Sequence, residues 1–131
     1  MYKKLYERIN YSFKDEDILD LVFTHKSSGK KNNERLEFLG DAILGAVISE
    51  ELYNRFSNIS EGDLTRIRAA LVNGSTLTKK GKELDLLALA KLSKAAKNLS
   101  DLEDSSILGT IFEALVGGCL LYTSPSPRDG R

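Results

Sequence analysis

The sequence predicts an all-α protein with a single domain. Apolar residues recur at the three- and four-residue spacing of a helix face, for example at Leu5 and Ile9 and again at Leu64 and Ile67. Polar stretches that contain glycine, such as residues 28–33, separate the apolar segments as loops separate helices. A chain of 131 residues is long enough for one domain with a hydrophobic core.

The predicted helices begin and end where helical spacing gives way to polar residues. Ser60, followed by Asp63, is a typical N-cap arrangement for one of them. The predicted helices cover residues 1–10, 15–27, 34–56, 61–72 and 76–84, a lysine-bearing segment that ends near residue 97, and residues 107–121. The helix over 34–56 is expected to be the central buried helix, because its apolar residues spread around most of its circumference.

Three carboxylates lie near the start of this long helix. Glu34, Glu37 and Asp41 are three and four residues apart. At about 100° per residue they fall within about 60° of arc on one helix face. Acidic side chains on a buried helix are costly unless a proton, a cation or a hydrogen-bond donor compensates them. The cluster is therefore interpreted as a candidate metal site.

An ordinary helix start is the alternative interpretation of the same cluster. The helix dipole favours acidic residues in the first turn, and Asn32 or Asn33 can serve as N-cap. This alternative accounts for Glu34 and Glu37. It leaves Asp41 unexplained, since that residue lies two turns into the helix.

The last predicted helix contains a similar acidic residue. Glu113 interrupts a strongly apolar segment that runs from Ile107 to Leu121. If this helix packs against the long one, Glu113 and Asp41 can face each other and hold a divalent cation, because carboxylate oxygens suit hard cations.

The segment from Lys79 to Lys97 is basic. Lys91, Lys94 and Lys97 recur at three-residue spacing on the lysine-bearing helix. Such a stripe is typical both of a solvated helix face and of a surface that contacts phosphates, and the residues alone leave both interpretations open.

Composition restricts the remaining function classes. With 19 basic and 19 acidic residues the net charge is zero, so binding to a polyanion has to depend on local patches or on metal ions. The single cysteine, Cys119, excludes an internal disulfide framework and a cysteine-rich zinc site. No segment has the length of a membrane span or the pattern of a signal peptide, so we expect a cytoplasmic location and no membrane partner. The single histidine, His25, is interpreted as structural.

The last ten residues differ from the rest of the chain. They contain both prolines, Pro125 and Pro127, and few apolar residues. We expect the folded domain to cover residues 1–121 and residues 122–131 to be a disordered, non-native tail, which resembles translated adapter sequence.

The run from Asn33 to Ala42 resembles the signature of the ribonuclease III endonuclease domain. Three further matches follow the order found in that family, and together they cover roughly residues 5–120. They are Thr24-His25-Lys26-Ser27, then Glu61-Gly62-Asp63-Leu64 with Arg68-Ala69-Ala70-Leu71-Val72, and finally Ser106-Ile107-Leu108 with Glu113-Ala114-Leu115. The resemblance implies the all-helical fold of that endonuclease domain.

The resemblance also implies a metal-dependent endoribonuclease that cleaves double-stranded RNA to 5′-phosphate and 3′-hydroxyl ends, in the processing of ribosomal and messenger RNA precursors. Glu37, Asp41 and Glu113 match the residues that bind the catalytic metal. The expected cofactor is Mg²⁺, for which Mn²⁺ can substitute, and no organic cofactor is expected. Glu34 and Glu61 match acidic residues that line the active-site valley.

Two macromolecular partners follow from the same resemblance, namely double-stranded RNA and a second copy of the chain. Phe38 matches an aromatic residue that inserts into the partner subunit of a homodimer. If the protein is a nuclease, the interpretation of the basic segment as a set of phosphate contacts is also better supported. The residues concerned are Lys79, Lys80, Lys91, Lys94 and Lys97.

The sequence departs from the family in two respects. Thr110 stands three residues before Glu113, at a valley position where the family normally has an aspartate. A neutral hydroxyl is a weaker metal ligand, so weaker Mg²⁺ binding or slower cleavage is expected. The double-stranded RNA-binding domain of many members is missing, so we interpret the chain as truncated. The alternative function is a catalytically weakened domain that binds double-stranded RNA or protein partners without cleavage.

Overall fold

The computed structural model describes residues 2–97 and 106–123, and within these ranges the regular structure is helical. The α-helices are α1 (Lys3–Ile9), α2 (Glu16–Val22), α3 (Glu34–Arg55), α4 (Glu61–Val72), α5 (Gly74–Glu83), α6 (Lys94–Lys97) and α7 (Ile107–Thr123). Two short 3-10 turns cover Lys26–Ser28 and Leu86–Leu89. The predicted all-α fold is confirmed.

Helices α3 and α7 pack so closely that their backbones touch. A methyl group at Gly40 would overlap the backbone carbonyl of Glu113, and a methyl group at Gly117 would overlap the carbonyl oxygen of Leu36. Both positions therefore require glycine, which has no Cβ atom. This crossing fixes which residues of the two helices face each other.

The hydrophobic core is built around α7. Leu108, Ile111 and Ala114 of this helix have no exposed surface. Core residues from other parts of the chain surround them, namely Tyr2, Leu5, Phe13, Leu19, Val22, Phe23, Leu36 and Leu86. The largely apolar sequence of α7 is typical of a helix buried on most sides.

The prediction that the long helix α3 is the central buried one is wrong. Leu36, Gly40 and Leu52 are buried, but Phe38 and Tyr53 are 80% and 75% exposed. Because α7 covers only one side of α3, a large part of its apolar circumference faces outward in the single chain. The residues alone could not show which apolar helix is enclosed.

The start of α3 is tied to the end of α2 by Asn33. Its backbone N–H donates to the carbonyl of Thr24 at 2.9 Å, and its buried side-chain amide donates to the carbonyl of Val22 at 2.9 Å. The side chain of Asn32 accepts from the N–H of Glu34 at 3.0 Å. Asn32 therefore supplies the side-chain cap of α3, while Asn33 connects two helices.

Helix α2 ends at Val22, five residues earlier than predicted. The residues that follow pair with Lys91 in an isolated parallel β-bridge. The N–H of Lys91 donates to the carbonyl of Phe23 at 2.7 Å, and the N–H of His25 donates to the carbonyl of Lys91 at 3.0 Å. The backbone groups of Phe23 and His25 form hydrogen bonds with the distant Lys91, so they are not available to continue α2.

The predicted lysine-bearing helix is also wrong. Asp85 has a positive φ of 55°, which ends α5, and a 3-10 turn follows it. Lys91 then lies in extended backbone, and α6 has only four residues. The three-residue spacing of the lysines therefore does not describe one helix face.

Other boundaries agree with the sequence. The Ser60 side chain accepts from the N–H of Asp63 at 3.2 Å, as predicted, and α4 begins at Glu61. By contrast, helix α7 continues to Thr123, so residues 122 and 123 of the predicted disordered tail at 122–131 are helical. The rest of that tail, and residues 98–105 of the predicted loop at 98–106, lie outside the described residues. In the described part of the chain, no helix combines the length and apolarity needed to cross a membrane.

Candidate active site

The crossing of α3 and α7 brings three carboxylates and one hydroxyl together. Glu37 lies one turn before Gly40 and Asp41 directly follows it, while Glu113 lies on the facing side of α7. The Thr110 hydroxyl donates a hydrogen bond to Oε2 of Glu37 at 3.0 Å. Asp41 shares a hydrogen bond with Glu113. Glu37, Asp41 and Glu113 are thus neighbours across two helices, whereas Glu34 is not part of this group.

Among these carboxyl groups, Glu113 has a strongly raised pKa. Its pKa is raised to about 7, first because burial penalises the charged form. The hydrogen bond with Asp41 raises the pKa further, and so do the negative charges of Asp41 and Glu37. Near neutral pH, Glu113 therefore exchanges between a protonated form that donates to Asp41 and an ionised form that requires compensation.

The donor set fits a hard divalent cation. Three carboxylates supply oxygen ligands, and Mg²⁺ uses few protein ligands because it keeps several waters. A cation would also remove the repulsion that raises the pKa of Glu113. Within residues 2–97 and 106–123, however, no three His, Cys, Asp or Glu side chains already have the arrangement of a formed metal site.

The two other predicted acidic residues lie at helix starts. Glu34, the first residue of α3, lines a surface groove of about 980 Å³ together with Phe38 and Leu121. Glu61, the first residue of α4, lines a cavity of about 250 Å³ with Arg68. The described contacts do not join either residue to Glu113.

The predicted RNA-binding lysines do not form one surface stripe. Lys79 and Lys80 lie on α5, where Lys80 pairs with Glu83 at 2.8 Å. Lys91 pairs with Asp20 at 3.4 Å. Lys94 and Lys97 occupy the two ends of α6 and are exposed. Their role in binding RNA stays a prediction.

His25 has the structural position expected for it. It precedes the 3-10 turn, and its Nδ1 accepts from the N–H of Ser27 at 3.1 Å. Burial lowers the pKa of His25, and the nearby Lys26 lowers it further. The neutral ring is the form that can accept this hydrogen bond.

The hydrogen bond from Thr110 to Glu37 could not be predicted from residue spacing, because it joins residues on different helices. The close approach at Gly117 was also missed. Its signal was present in the pair Gly117-Gly118 within an otherwise apolar helix, where glycine is unfavourable unless packing requires it.

Comparison with known proteins identifies relatives over most of the chain. Residues 15–126 match the family described as Ribonuclease-III-like. Ribonuclease 3 of Vibrio cholerae serotype O1 is 45% identical over 118 residues, which are 90% of this chain and 52% of that protein. Ribonuclease 3 of a Marinomonas species is also 45% identical, over 92% of this chain and 53% of that protein. The chain thus spans about half the length of these relatives.

Solved structures give the same result. The nuclease domain of ribonuclease III from Campylobacter jejuni, which has a flexible region involved in dimer formation, superposes with a TM-score of 0.89. It is 40% identical in sequence, over 94% of this chain and 87% of that one. Dicer from Pichia stipitis superposes with a TM-score of 0.69 at 31% identity, over 91% of this chain and 52% of that one.

Proposed function

This chain belongs to the ribonuclease III family, and from that membership we propose that it is a metal-dependent endoribonuclease that cleaves double-stranded RNA. The convergence of Glu37, Asp41 and Glu113 where α3 crosses α7 carries the proposal. Three carboxylates on two closely packed helices supply oxygen ligands that a divalent cation would need for hydrolysis of a phosphodiester.

The three carboxylates have the task of holding the metal. Glu37, Asp41 and Glu113 would bind it, and a bound Mg²⁺ would supply a reactive water and stabilise the charge on the leaving oxygen. Mn²⁺ would serve in its place. The water oxygen would bond to phosphorus and lose a proton, while the bond between phosphorus and the 3′ oxygen would break and that oxygen would take up a proton. The products are a 5′-phosphate and a 3′-hydroxyl end.

We place Glu34 and Glu61 beside the RNA rather than on the metal. Both are exposed at the N-terminal ends of their helices, where a carboxylate is favoured by the helix dipole. The proposed phosphate contacts are Lys79, Lys80, Lys91, Lys94 and Lys97. Such contacts fix the position of a duplex without reading its sequence. The proposed substrates are precursors of ribosomal and messenger RNA.

A homodimer is the proposed assembly. Phe38 and Tyr53 on α3 are 80% and 75% exposed, which is unusual for large apolar side chains of a monomer. Phe38 also borders the groove of about 980 Å³ that Leu39 and Leu121 help to line. A second copy that inserts its own Phe38 next to this groove would cover both features.

The experiment that tests the activity is cleavage of a long RNA duplex. The purified chain is incubated with the duplex and Mg²⁺ at low salt, beside a Glu113→Gln variant that keeps the shape of the side chain but not its charge. We expect fragments with 5′-phosphate ends from the wild type and an intact duplex from the variant. If both proteins leave the duplex equally intact at every Mg²⁺ concentration, the proposed activity is wrong.

A second candidate function is binding of double-stranded RNA or a protein partner without cleavage. Thr110 favours it, because one carboxylate that the family normally provides is replaced by a neutral hydroxyl. An intact duplex that nevertheless co-migrates with the wild-type chain on a native gel would support this function over the first.

A further inference from the structure

Thr110 uses its hydroxyl across a helix interface. Its backbone N–H donates to the carbonyl of Ser106 at 2.9 Å, as in a regular helix. Threonine hydroxyls inside helices commonly donate to a carbonyl of their own helix. Here the hydroxyl donates to Oε2 of Glu37 on α3 at 3.0 Å.

We infer that Thr110 is a positioning residue, whose hydroxyl holds the Glu37 carboxylate in one orientation for binding of a divalent cation. The inference rests on the proposed function, since it concerns the same site. It differs from the expectation drawn from the sequence, in which Thr110 was only a weak substitute for an aspartate ligand.

Hydrogen bonding and conformational freedom together support this role. Glu37 has three rotatable side-chain bonds and is only half-buried, so its carboxylate is not fixed by packing alone. A hydrogen bond to Oε2 restricts rotation and leaves Oε1 available as a ligand. Residues that hydrogen-bond to a ligating carboxylate typically change metal affinity or activity by about 10- to 100-fold when they are mutated.

The rest of the site provides no equivalent donor for Glu37 among the described contacts. Asp41 and Glu113 hydrogen-bond with each other, and the negative charges of Asp41 and Glu37 both act on Glu113. Glu37 is therefore the carboxylate that depends on a neutral donor, and Thr110 is that donor.

The test measures Mn²⁺ binding to the full chain without RNA, by electron paramagnetic resonance of free Mn²⁺. Thr110→Val keeps the shape of the side chain and removes the hydroxyl, Thr110→Ala is a second hydroxyl-free variant, and Thr110→Ser keeps the hydroxyl. Thr78→Val makes the same chemical change at another half-buried threonine, on α5. Thermal melting in EDTA verifies that each variant is folded.

We expect the hydroxyl-free variants to bind Mn²⁺ roughly tenfold more weakly than the wild type. Thr110→Ser should bind several-fold more tightly than Thr110→Val, and Thr78→Val should behave like the wild type. Equal affinity of wild type and both hydroxyl-free variants would overturn the inference, and so would a Thr110→Ser affinity no better than that of Thr110→Val. A wild type that binds no Mn²⁺ would overturn it as well.

Cleavage of the RNA duplex by the same proteins separates this inference from the proposed function. If the affinities differ as expected but the wild type with saturating Mn²⁺ does not cut RNA, positioning by Thr110 stands and the nuclease function fails. If the wild type cuts RNA but the hydroxyl-free variants bind Mn²⁺ normally, the function stands and positioning fails.

Discussion

The surroundings of Glu113 strongly change its acid–base chemistry. It lies on an apolar helix beside two other carboxylates, and these neighbours together with burial raise its pKa to about 7. Below about pH 7 the metal-free chain therefore holds a proton at Glu113. Under the proposed function a bound cation would favour the ionised carboxylate, so metal binding would release this proton.

The raised pKa of Glu113 predicts that the stability of the metal-free protein depends on pH. The pKa of Glu113 is higher in the folded chain than the ordinary value of 4.5, so the folded state binds more protons between about pH 4.5 and 7. The free energy of unfolding of the metal-free protein should therefore fall as pH rises through this window and level off above it. After allowance for solvent screening, the contribution of Glu113 is on the order of 1–2 kcal/mol.

Urea unfolding in EDTA at several pH values measures this contribution. Because other groups also titrate, the useful quantity is the difference between the wild type and Glu113→Gln, which cannot ionise at this position. The wild type should lose stability relative to the variant as pH rises from 5 to 8. A difference that stays constant over this range would show that the pKa of Glu113 is not raised.

Thr110→Asp is predicted to strengthen Mg²⁺ binding. The change places a carboxylate next to Glu37, where the wild type has a neutral hydroxyl. An added ionised ligand near a divalent cation should lower the Mg²⁺ concentration for half-maximal cleavage by roughly tenfold or more. Titration of cleavage against Mg²⁺ checks this, with Thr110→Asn as the uncharged variant of the same shape. Equal half-maximal concentrations for the two variants would contradict it.

The sequence predicted that Glu37, Asp41 and Glu113 belong to one site, and the structure brings them together, but for a reason that differs in part. The spacing of Glu37 and Asp41 placed them on one helix face, and the apolar surroundings of Glu113 marked it as unusual. The expectation of a buried α3 implied a buried Asp41, whereas Asp41 is exposed. Burial depends on which helices cover a residue, and short-range spacing does not contain that information.

At the level of the secondary structure, the contact between α3 and α7 positions the site. Gly40 and Gly117 let the two backbones touch, and this close approach brings Glu113 next to Asp41. Side chains at these two positions would separate the helices. Gly40, which belongs to the signature, therefore allows both the short distance between the carboxylates and the close packing of the two helices.

Gly40→Ala is predicted to destabilise the chain by about 2–4 kcal/mol, since the added methyl group would overlap the backbone of Glu113 and neither helix can move without disturbing the core. Gly45→Ala is the matched control on the same helix, because nothing lies within 4 Å of a Cβ atom there. Alanine favours helix formation over glycine, so the control should gain up to about 1 kcal/mol.

Chemical denaturation monitored by circular dichroism measures both changes. Cleavage assays below the melting temperature should also show lower activity for Gly40→Ala than for Gly45→Ala. The role assigned to the crossing would be wrong if the two alanine variants had the same stability.

Helix boundaries were predictable where local chemistry sets them and not where distant contacts do. The N-cap of α4 follows from Ser60 and Asp63, which are three residues apart. The end of α2 and the break before α6 depend on pairing of Phe23 and His25 with Lys91, more than 60 residues away. The spacing of apolar residues predicted a helix through both segments, because this spacing contains no information about pairing with a distant residue.

The whole molecule presents an apolar face along α3, which the proposed dimer would cover. Phe38→Ala is predicted to weaken self-association by roughly 30-fold or more, because a large aromatic side chain at an interface often contributes 2 kcal/mol or more. Leu71→Ala serves as the control, since Leu71 is an exposed apolar residue of α4 at 44% exposure. Sedimentation equilibrium measures the dissociation constants. If the wild type is monomeric at high protein concentration, the dimer proposal fails.

Binding of RNA should depend on local basic residues, because the chain has no net charge. The double variant Lys79→Ala, Lys80→Ala is predicted to reduce the slope of log affinity against log salt by about 1 to 2, since each phosphate contact contributes about 0.7 to 0.9. The pair Lys3→Ala, Lys4→Ala on α1 provides a control with the same charge change. Fluorescence anisotropy with a labelled duplex measures both slopes. The prediction fails if the two pairs have the same effect.

The two hydrogen bonds of Asn33 have a geometric consequence for the whole domain. They attach the start of α3 to Val22 and Thr24. They therefore set the rotation of α3 about its own axis, and with it the side of the helix on which each residue lies. One residue inserted between Asn33 and Glu37 would rotate everything that follows by about 100° about the helix axis. Gly40 would then no longer face α7, and the carboxylates would point away from Glu113. The number of residues between Asn33 and Gly40 therefore decides both how α3 packs against α7 and whether the carboxylates face Glu113.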